Sequence, residues 1–393
     1  MDPLPKTAGA VVIGAGINGA ATAFNLARRG VENVLLLEKQ LIASGGTGRS
    51  AAIVRQHYSN EVLVRMVRRS VDIFSHFDDE IGGDSGFVNC GWSFLVPEYV
   101  SEGFVRNIEM GRRLGVDVRE ITREELLEIE PRIEVGDVHR FAYEPGSGYA
   151  DPRATTHAYV RRFTDLGGRL ATLTPATGLL LSGDAVAGVS TEAGNISTPI
   201  VVNAAGPWAD RVASWAGVDL PLEVTREEEI IYDAEAAGGP PRLCFSDMAE
   251  AIYYRPHGER RMLVGRGFPK EYEHVEPDGY NQEVDVFFIA ETESRLMRRW
   301  PGFRSLIAVD SYTGLYDVTP DWHPVLGAVD GLEGFFMCAG FSGHGFKIGP
   351  AVGEVMAEEV LDVSDRSIDI ASLNLRRFAR GELIEAAYGT NRA

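Results

Sequence analysis

The sequence predicts an α/β fold, α+β overall, of two interleaved units. One opens with a strand, a glycine turn and a helix; the other is built on a large mixed or antiparallel sheet. Length is the first observation: 393 residues exceed the size at which a single core usually stops growing. The second is the opening itself, where strand-like Ala10-Val11-Val12-Ile13 runs into Gly14-Ala15-Gly16-Ile17-Asn18-Gly19 and then a helix-like stretch that ends near Gly30. The third is the return of patterns belonging to the first unit later in the chain. The expected partition is 1–84, 148–221 and 315–393 for the first unit, and 85–147 and 222–314 for the second.

Composition bounds the function. Hydrophobic residues at 45% and charged residues at 24% are ordinary for a globular protein. A net charge of -19 repels phosphate backbones and anionic lipid, so neither nucleic acid nor a membrane is expected as a partner. An acidic ligand would require a few Arg or Lys gathered locally against that field. Cys90, Cys244 and Cys338 are too few and scattered for a disulfide framework, and no His, Cys and carboxylate cluster has metal spacing, so no metal is expected. With no export signal and no apolar run of roughly 18 residues, the expected location is the cytoplasm.

The glycine turn carries chemistry. Gly14 permits the sharp bend, Gly16 lets backbone approach a pyrophosphate, and Gly19 lets the helix pack on the sheet. The helix N-terminus then offers unpaired N–H groups to the phosphates. A second apolar strand, residues 34–37, ends in Glu38, which lies about 20 residues beyond the glycines, where a carboxylate accepts from a ribose. This reading leaves NAD and FAD open.

Four further blocks bear on the choice. Ser44-Gly45-Gly46-Thr47-Gly48-Arg49-Ser50-Ala51 follows the second strand, and Val202-Asn203-Ala204-Ala205-Gly206-Pro207-Trp208 lies mid-chain. Tyr316-Asp317-Val318-Thr319-Pro320-Asp321-Trp322-His323-Pro324 precedes Gly340-Phe341-Ser342-Gly343-His344-Gly345-Phe346-Lys347. In this order they resemble the sarcosine oxidase and D-amino-acid oxidase superfamily. The resemblance implies FAD on a glutathione-reductase-like Rossmann unit. By that resemblance the cofactor contacts are Gly14, Gly16, Ile17, Asn18, Gly19, Glu38, Lys39, Ser44, Gly45, Gly46, Thr47, Arg49, Ser50 and Ala51, then Ala176, Ala204, Ala205, Gly206, Trp208 and Gly314, and finally every residue from Gly340 to Lys347. Gly314 stands where some members carry a flavin-bonded cysteine, so the FAD is expected to be non-covalent. Leu263 and Gly267 match the family's oxygen-assisting lysine and active-site histidine, a departure that bears on whether oxygen is the acceptor.

Elsewhere, helices are expected over 62–77, over 102–114, after Thr122 with Glu125 as a capping box, and from Asp151-Pro152 to 166. Residues 86–97 read as strand, 185–200 as a hairpin bearing Gly194-Asn195, and 223–312 as a sheet roofing the cofactor. Gly349-Pro350 is expected to open a last helix over 351–361, with Lys347 just before it.

Flavin oxidation of an amine needs a C–H bond held over the ring, a neutral amine and donors for the reduced ring. By resemblance Lys347 and Arg55 hold a substrate carboxylate, although an arginine at 55 could also be a surface residue. Tyr253 matches a substrate-side tyrosine, or is core packing; His344 faces the flavin, or only anchors backbone. Arg49 and His57 are further candidates for the pocket. The implied reaction is hydride transfer to FAD from a small secondary amine or N-substituted amino acid (sarcosine-like, N-methyl or N-carboxymethyl, as in iminodiacetate), followed by imine hydrolysis to an amine plus aldehyde or glyoxylate. The expected acceptor is oxygen or an electron-acceptor protein, and the expected assembly a monomer or small homo-oligomer. Two rivals stand beside it: a flavin-dependent 2-hydroxy-acid oxidase or dehydrogenase, and a non-catalytic flavoprotein subunit of a complex.

Overall fold

The computed structural model describes residues 3–303 and 307–388. A six-stranded sheet has the order Val325–Ala328, Phe335–Ala339, Val201–Asn203, Ala10–Ile13, Val34–Leu37, Arg169–Ala171. All of its pairings are parallel except that between Val325–Ala328 and Phe335–Ala339. Its central strands are buried throughout, as a sheet covered on both faces requires.

Two helices cross behind this sheet with almost no side chain between them. A Cβ on Gly349 would lie 2.7 Å from Ile17 Cγ1, and one on Gly353 2.5 Å from the carbonyl carbon of Ala21. Here the structure corrects the sequence reading: the last long helix is Gly345–Val360, so Pro350 lies inside it and Lys347 in its first turn rather than before it. Proline usually marks a helix start. Close packing on Ile17–Arg28 and a bond from the Ala351 amide to Ser70 Oγ, 3.1 Å, hold the helix through the missing donor.

The nine-stranded sheet, mostly antiparallel, is assembled from the segments between these strands. Period-two alternation splits Glu223–Asp233 cleanly. Ile230 and Tyr232 pack into a core with Phe245, Tyr254 and Val264, while Glu227 and Glu229 face the other way. The core side is covered by a helix, Val286–Arg299, where an uninterrupted sheet was expected. Its inward residues Phe288, Thr292, Leu296 and Arg299 recur at helical spacing, but two of them are polar, which dilutes the apolar stripe. Buried Arg299 is satisfied by Asp247 and Asp137 at 2.5 and 2.8 Å.

Locally encoded elements form where their caps predict. Asn60 caps Glu61–Ser75, Asp151 caps Pro152–Asp165, and Thr122 and Glu125 make the reciprocal capping box of Arg123–Ile129. The expected hairpin turns at residues 192–193 rather than at Gly194-Asn195, which pair with Thr191 and Ser190. A third strand, Ala176–Ser182, completes that small sheet. Cys90 and Cys244, distant in sequence, come to 3.6 Å as free thiols. Among the described residues no helix is long and apolar enough to cross a membrane, and no His, Cys, Asp and Glu group could hold a metal.

Because the Ile17–Arg28 and Gly345–Val360 helices have no room for a methyl group, Gly353→Ala should destabilise the protein by about 1 to 3 kcal/mol, read as a lower denaturant midpoint.

Candidate active site

One cavity of about 560 Å³ runs from the carboxyl ends of the parallel strands to the Glu227 and Glu229 face of the large sheet. Such a crevice is where open α/β sheets bind ligands. Every sequence-predicted cofactor and catalytic residue lines it except Gly19 and Gly340. Those two act through packing. A Cβ on Gly19 would meet Gly14 O at 1.9 Å, and Gly340, at φ +74, would meet Thr319.

At the first end the backbone forms a cradle that side chains would fill. Gly14 has φ +107, and a Cβ there would lie 2.4 Å from Ala204 O. Gly16 caps the Ile17–Arg28 helix with no side-chain bond, and the first turn holds no acidic residue. Thr47 Oγ1 accepts from the Ile17 amide at 3.1 Å, and Asn18 Oδ1 is buried without a partner. A helix N-terminus with no side-chain cap and no acidic residue in its first turn, reached over bare glycine backbone, fits a dinucleotide pyrophosphate. Glu38 braces this end: its carboxylate accepts from the Ala15 amide at 2.9 Å and the Gln40 amide at 2.7 Å.

Residues 267–285 strap across the cavity. Asp278 accepts from Trp208 Nε1 at 2.8 Å and Lys39 Nζ at 3.4 Å and pairs with Arg211, while Lys39 stacks 3.2 Å above the Trp208 ring. Arg49 donates to the Tyr280 hydroxyl, to Thr313 O at 3.1 Å and to Gln282 Oε1 at 3.3 Å. The structure therefore places Arg49 on the cavity wall with its guanidinium engaged by the strap.

The other end is organised by Asp317. Its carboxylate accepts from the Gly340 and Phe341 amides at 2.8 and 3.2 Å, and its carbonyl from Ser342 at 2.9 Å. Burial nevertheless raises its pKa to about 6. Ser342 and Gly343 take φ +50 and +84, and a Cβ on Gly343 would lie 2.5 Å from the Tyr316 ring. This turn delivers His344 and Lys347. Arg55 comes from the loop after Ile53–Val54; it donates to His57 O and its guanidinium lies 4.7 Å from the Tyr58 ring centre.

Neither Arg55 nor Lys347 forms an ion pair among the described residues. Burial first, then repulsion from Arg55, holds Lys347 well below the ordinary lysine range. His344, 3.2 Å from the Tyr58 hydroxyl, is kept neutral by burial and by both cations. Burial and Arg55 likewise hold His57 down to about 3, and its Nε2 lies 2.6 Å from the Tyr388 hydroxyl.

On the opposite wall Tyr253 donates to Glu229 at 3.0 Å, and Lys270 pairs with Glu227. Leu263 is buried within its strand away from the cavity, whereas Gly267 borders it with Arg266 and Lys270 close by in sequence on the same wall. Glu227, Glu229, Lys270 and Asp278 were missed from sequence. The one available signal was Glu227-Glu228-Glu229 inside an otherwise strand-like run.

A family model described as FAD dependent oxidoreductase (DAO) matches residues 10–359. The chain belongs to the DAO family of FAD-dependent oxidoreductases. Its cofactor is accordingly FAD, which the cradle fits. Mitochondrial sarcosine dehydrogenase of Mus musculus is 28% identical over 96% of this chain and 42% of its own length. The chain thus spans less than half of that relative. Sarcosine oxidase subunit beta of an Arthrobacter species is 25% identical over 98% of this chain and 94% of its own. Among solved structures, L-proline dehydrogenase from P. horikoshii is 31% identical with a TM-score of 0.89, covering 97% of this chain and 100% of that one.

Removing the brace should loosen this DAO family member's hold on its cofactor. Glu38→Ala is expected to weaken FAD binding by about 10- to 100-fold, the worth of charged hydrogen bonds, in a flavin fluorescence titration of the apoprotein.

Proposed function

We propose that the chain oxidises the C–N bond of a small secondary amine that carries a carboxylate. The observation behind this reading is that Arg55 and Lys347 face one cavity, neither in an ion pair among the described residues, in a chain of net charge -19. Two such charges beside each other call for an anion, and a carboxylate can take both. Sarcosine and L-proline, named for two of the relatives, share this chemistry: a secondary nitrogen one carbon from a carboxylate. N-methyl and N-carboxymethyl amino acids, iminodiacetate among them, belong to the same class.

Bound FAD would supply the acceptor for the hydride lost from the carbon beside the nitrogen, leaving a C=N bond. Arg55 and Lys347 orient the carboxylate, neutral His344 and Tyr253 line the space beside it, and water hydrolyses the released imine to amine plus aldehyde or glyoxylate. The FAD is held non-covalently, since Gly314 supplies no thiol and burial holds the thiol of Cys338, the cysteine on the cavity wall, protonated. Electrons leave to oxygen or to an acceptor protein. The parallel sheet with residues 1–84, 148–221 and 315–393 serves as the FAD unit, and 85–147 with 222–314 as the substrate unit.

An anaerobic screen that follows loss of flavin absorbance tests the reading: sarcosine, L-proline or iminodiacetate should bleach the protein. Bleaching by 2-hydroxy acids alone, or by nothing, would refute it. Lys347→Met should keep FAD and raise the half-saturating amine concentration about 10- to 100-fold. Since Lys347 titrates below the ordinary range, affinity for the carboxylate should fall as pH rises through that depressed pKa. Lys347→Met should flatten this dependence.

A further inference from the structure

Strand register places Tyr312, Glu229, Gly265 and Tyr253 in one transverse row on the cavity face of the large sheet. Tyr312 pairs with Glu229, Glu229 with Gly265, and Gly265 with Tyr253. The glycine lets the row close. A Cβ at 265 would sit 2.3 Å from the Tyr253 ring and hydroxyl, so Tyr253 lies across the bare backbone and its hydroxyl donates to Glu229 Oε1 at 3.0 Å. Tyr312 donates to Oε2 from the other side. Glu229 is only 4% exposed, yet it borders the cavity and has no ion pair among the described residues. Burying a carboxylate this way is costly, and a purely structural row would be served equally by a neutral acceptor.

We propose that Tyr253 and Glu229 form the proton path that neutralises the substrate's ammonium group. The proposal rests on the amine-oxidation reading, because a protonated amine has no lone pair with which to form the C=N bond as hydride leaves the neighbouring carbon. The single proton of the Tyr253 hydroxyl is committed to Glu229, so its oxygen, which also contacts the Tyr316 hydroxyl, has a lone pair to present to the substrate. An ammonium N–H bond breaks and an O–H bond forms on Tyr253. The original hydroxyl O–H breaks as a new one forms on Glu229 Oε1. No electrons move, and an ammonium–carboxylate pair becomes a neutral amine and a carboxylic acid.

The groups facing Glu229 are Glu227 on its own strand, Tyr253 and Arg255 on Ile252–His257, and Tyr312 on Ile307–Val318; Tyr316 and Glu227 face Tyr253. Burial pushes the Glu229 carboxyl up to about 7, against the pull of Tyr312, Tyr253 and Arg255. That suits a group that must both take up and return a proton near neutrality.

The test is anaerobic rapid-mixing reduction of the FAD-loaded protein across pH, with sarcosine or L-proline, whichever bleaches the wild type. The second-order rate constant should show an acid limb with its midpoint near 7. Tyr312→Phe, which removes a donor that favours the ionised carboxylate, should move that limb to higher pH. Glu229→Gln should slow reduction at neutral pH by about 100-fold and leave only the limb of the substrate's own ammonium. A Glu229→Gln protein that holds FAD and matches the wild type across pH would overturn the proposal while leaving the amine-oxidation reading intact. Should Glu229→Gln lose FAD, Tyr312→Phe decides: an unmoved limb overturns the path. If no amine bleaches the wild type, both fall together.

Discussion

Two basic side chains, Arg55 and Lys347, share the wall of one cavity, and neither forms an ion pair among the described residues. For Lys347 the placement is doubly unfavourable, because it lies in the first turn of the Gly345–Val360 helix, where the helix dipole already presents positive charge. Arg55 stands beside it, close enough to depress it further. An acidic protein could have supplied a carboxylate at little cost, and Glu227 and Glu229 lie on the opposite wall. Instead Glu227 is paired with Lys270 and Glu229 is held by tyrosines, so the cations stay available to a ligand.

The surrounding structure keeps that helix end where it is. Gly349 and Gly353 let it press against the Ile17–Arg28 helix, whose own N-terminus forms the dinucleotide cradle. The two helix ends therefore cannot shift independently, and the Asp317 carboxylate pins the turn that leads into the second. The 267–285 strap adds a further tie. Gly267, Phe268 and Lys270 border the substrate end, while Asp278 and Tyr280 bind Trp208, Arg211 and Arg49 near the nucleotide. Cofactor retention and the shape of the substrate wall thus share one segment.

What could be read in advance was what local chemistry encodes. The glycine turn, the helix start at Asp151-Pro152 and the Thr122 box each concern neighbours in sequence, and the structure contains them. Pro350 misled because its local preference for a helix start is overridden by packing against Ile17 and Ala21. The Val286–Arg299 helix was hidden because Thr292 and Arg299 occupy inward positions that an apolar pattern reserves for hydrophobes. Arg55 and Lys347 were identified only through resemblance to a family, since nothing in their neighbours marks them. Glu229 was missed for a different reason: its environment is made by register across strands that begin at residues 223, 252, 261 and 307, a relation that no short window contains. The approach of Cys90 to Cys244 has the same origin.

On the proposed function, Arg55 and Lys347 hold a substrate carboxylate beside the cofactor. The most direct measurement is a titration of the FAD-loaded protein with acetate or propionate, which cannot be oxidised as amines, while the visible flavin spectrum and proton uptake are followed together. A saturable spectral shift, with protons taken up above the depressed pKa of Lys347 as that side chain recovers its charge, is the predicted result. A spectrum indifferent to carboxylates at every pH would contradict the account.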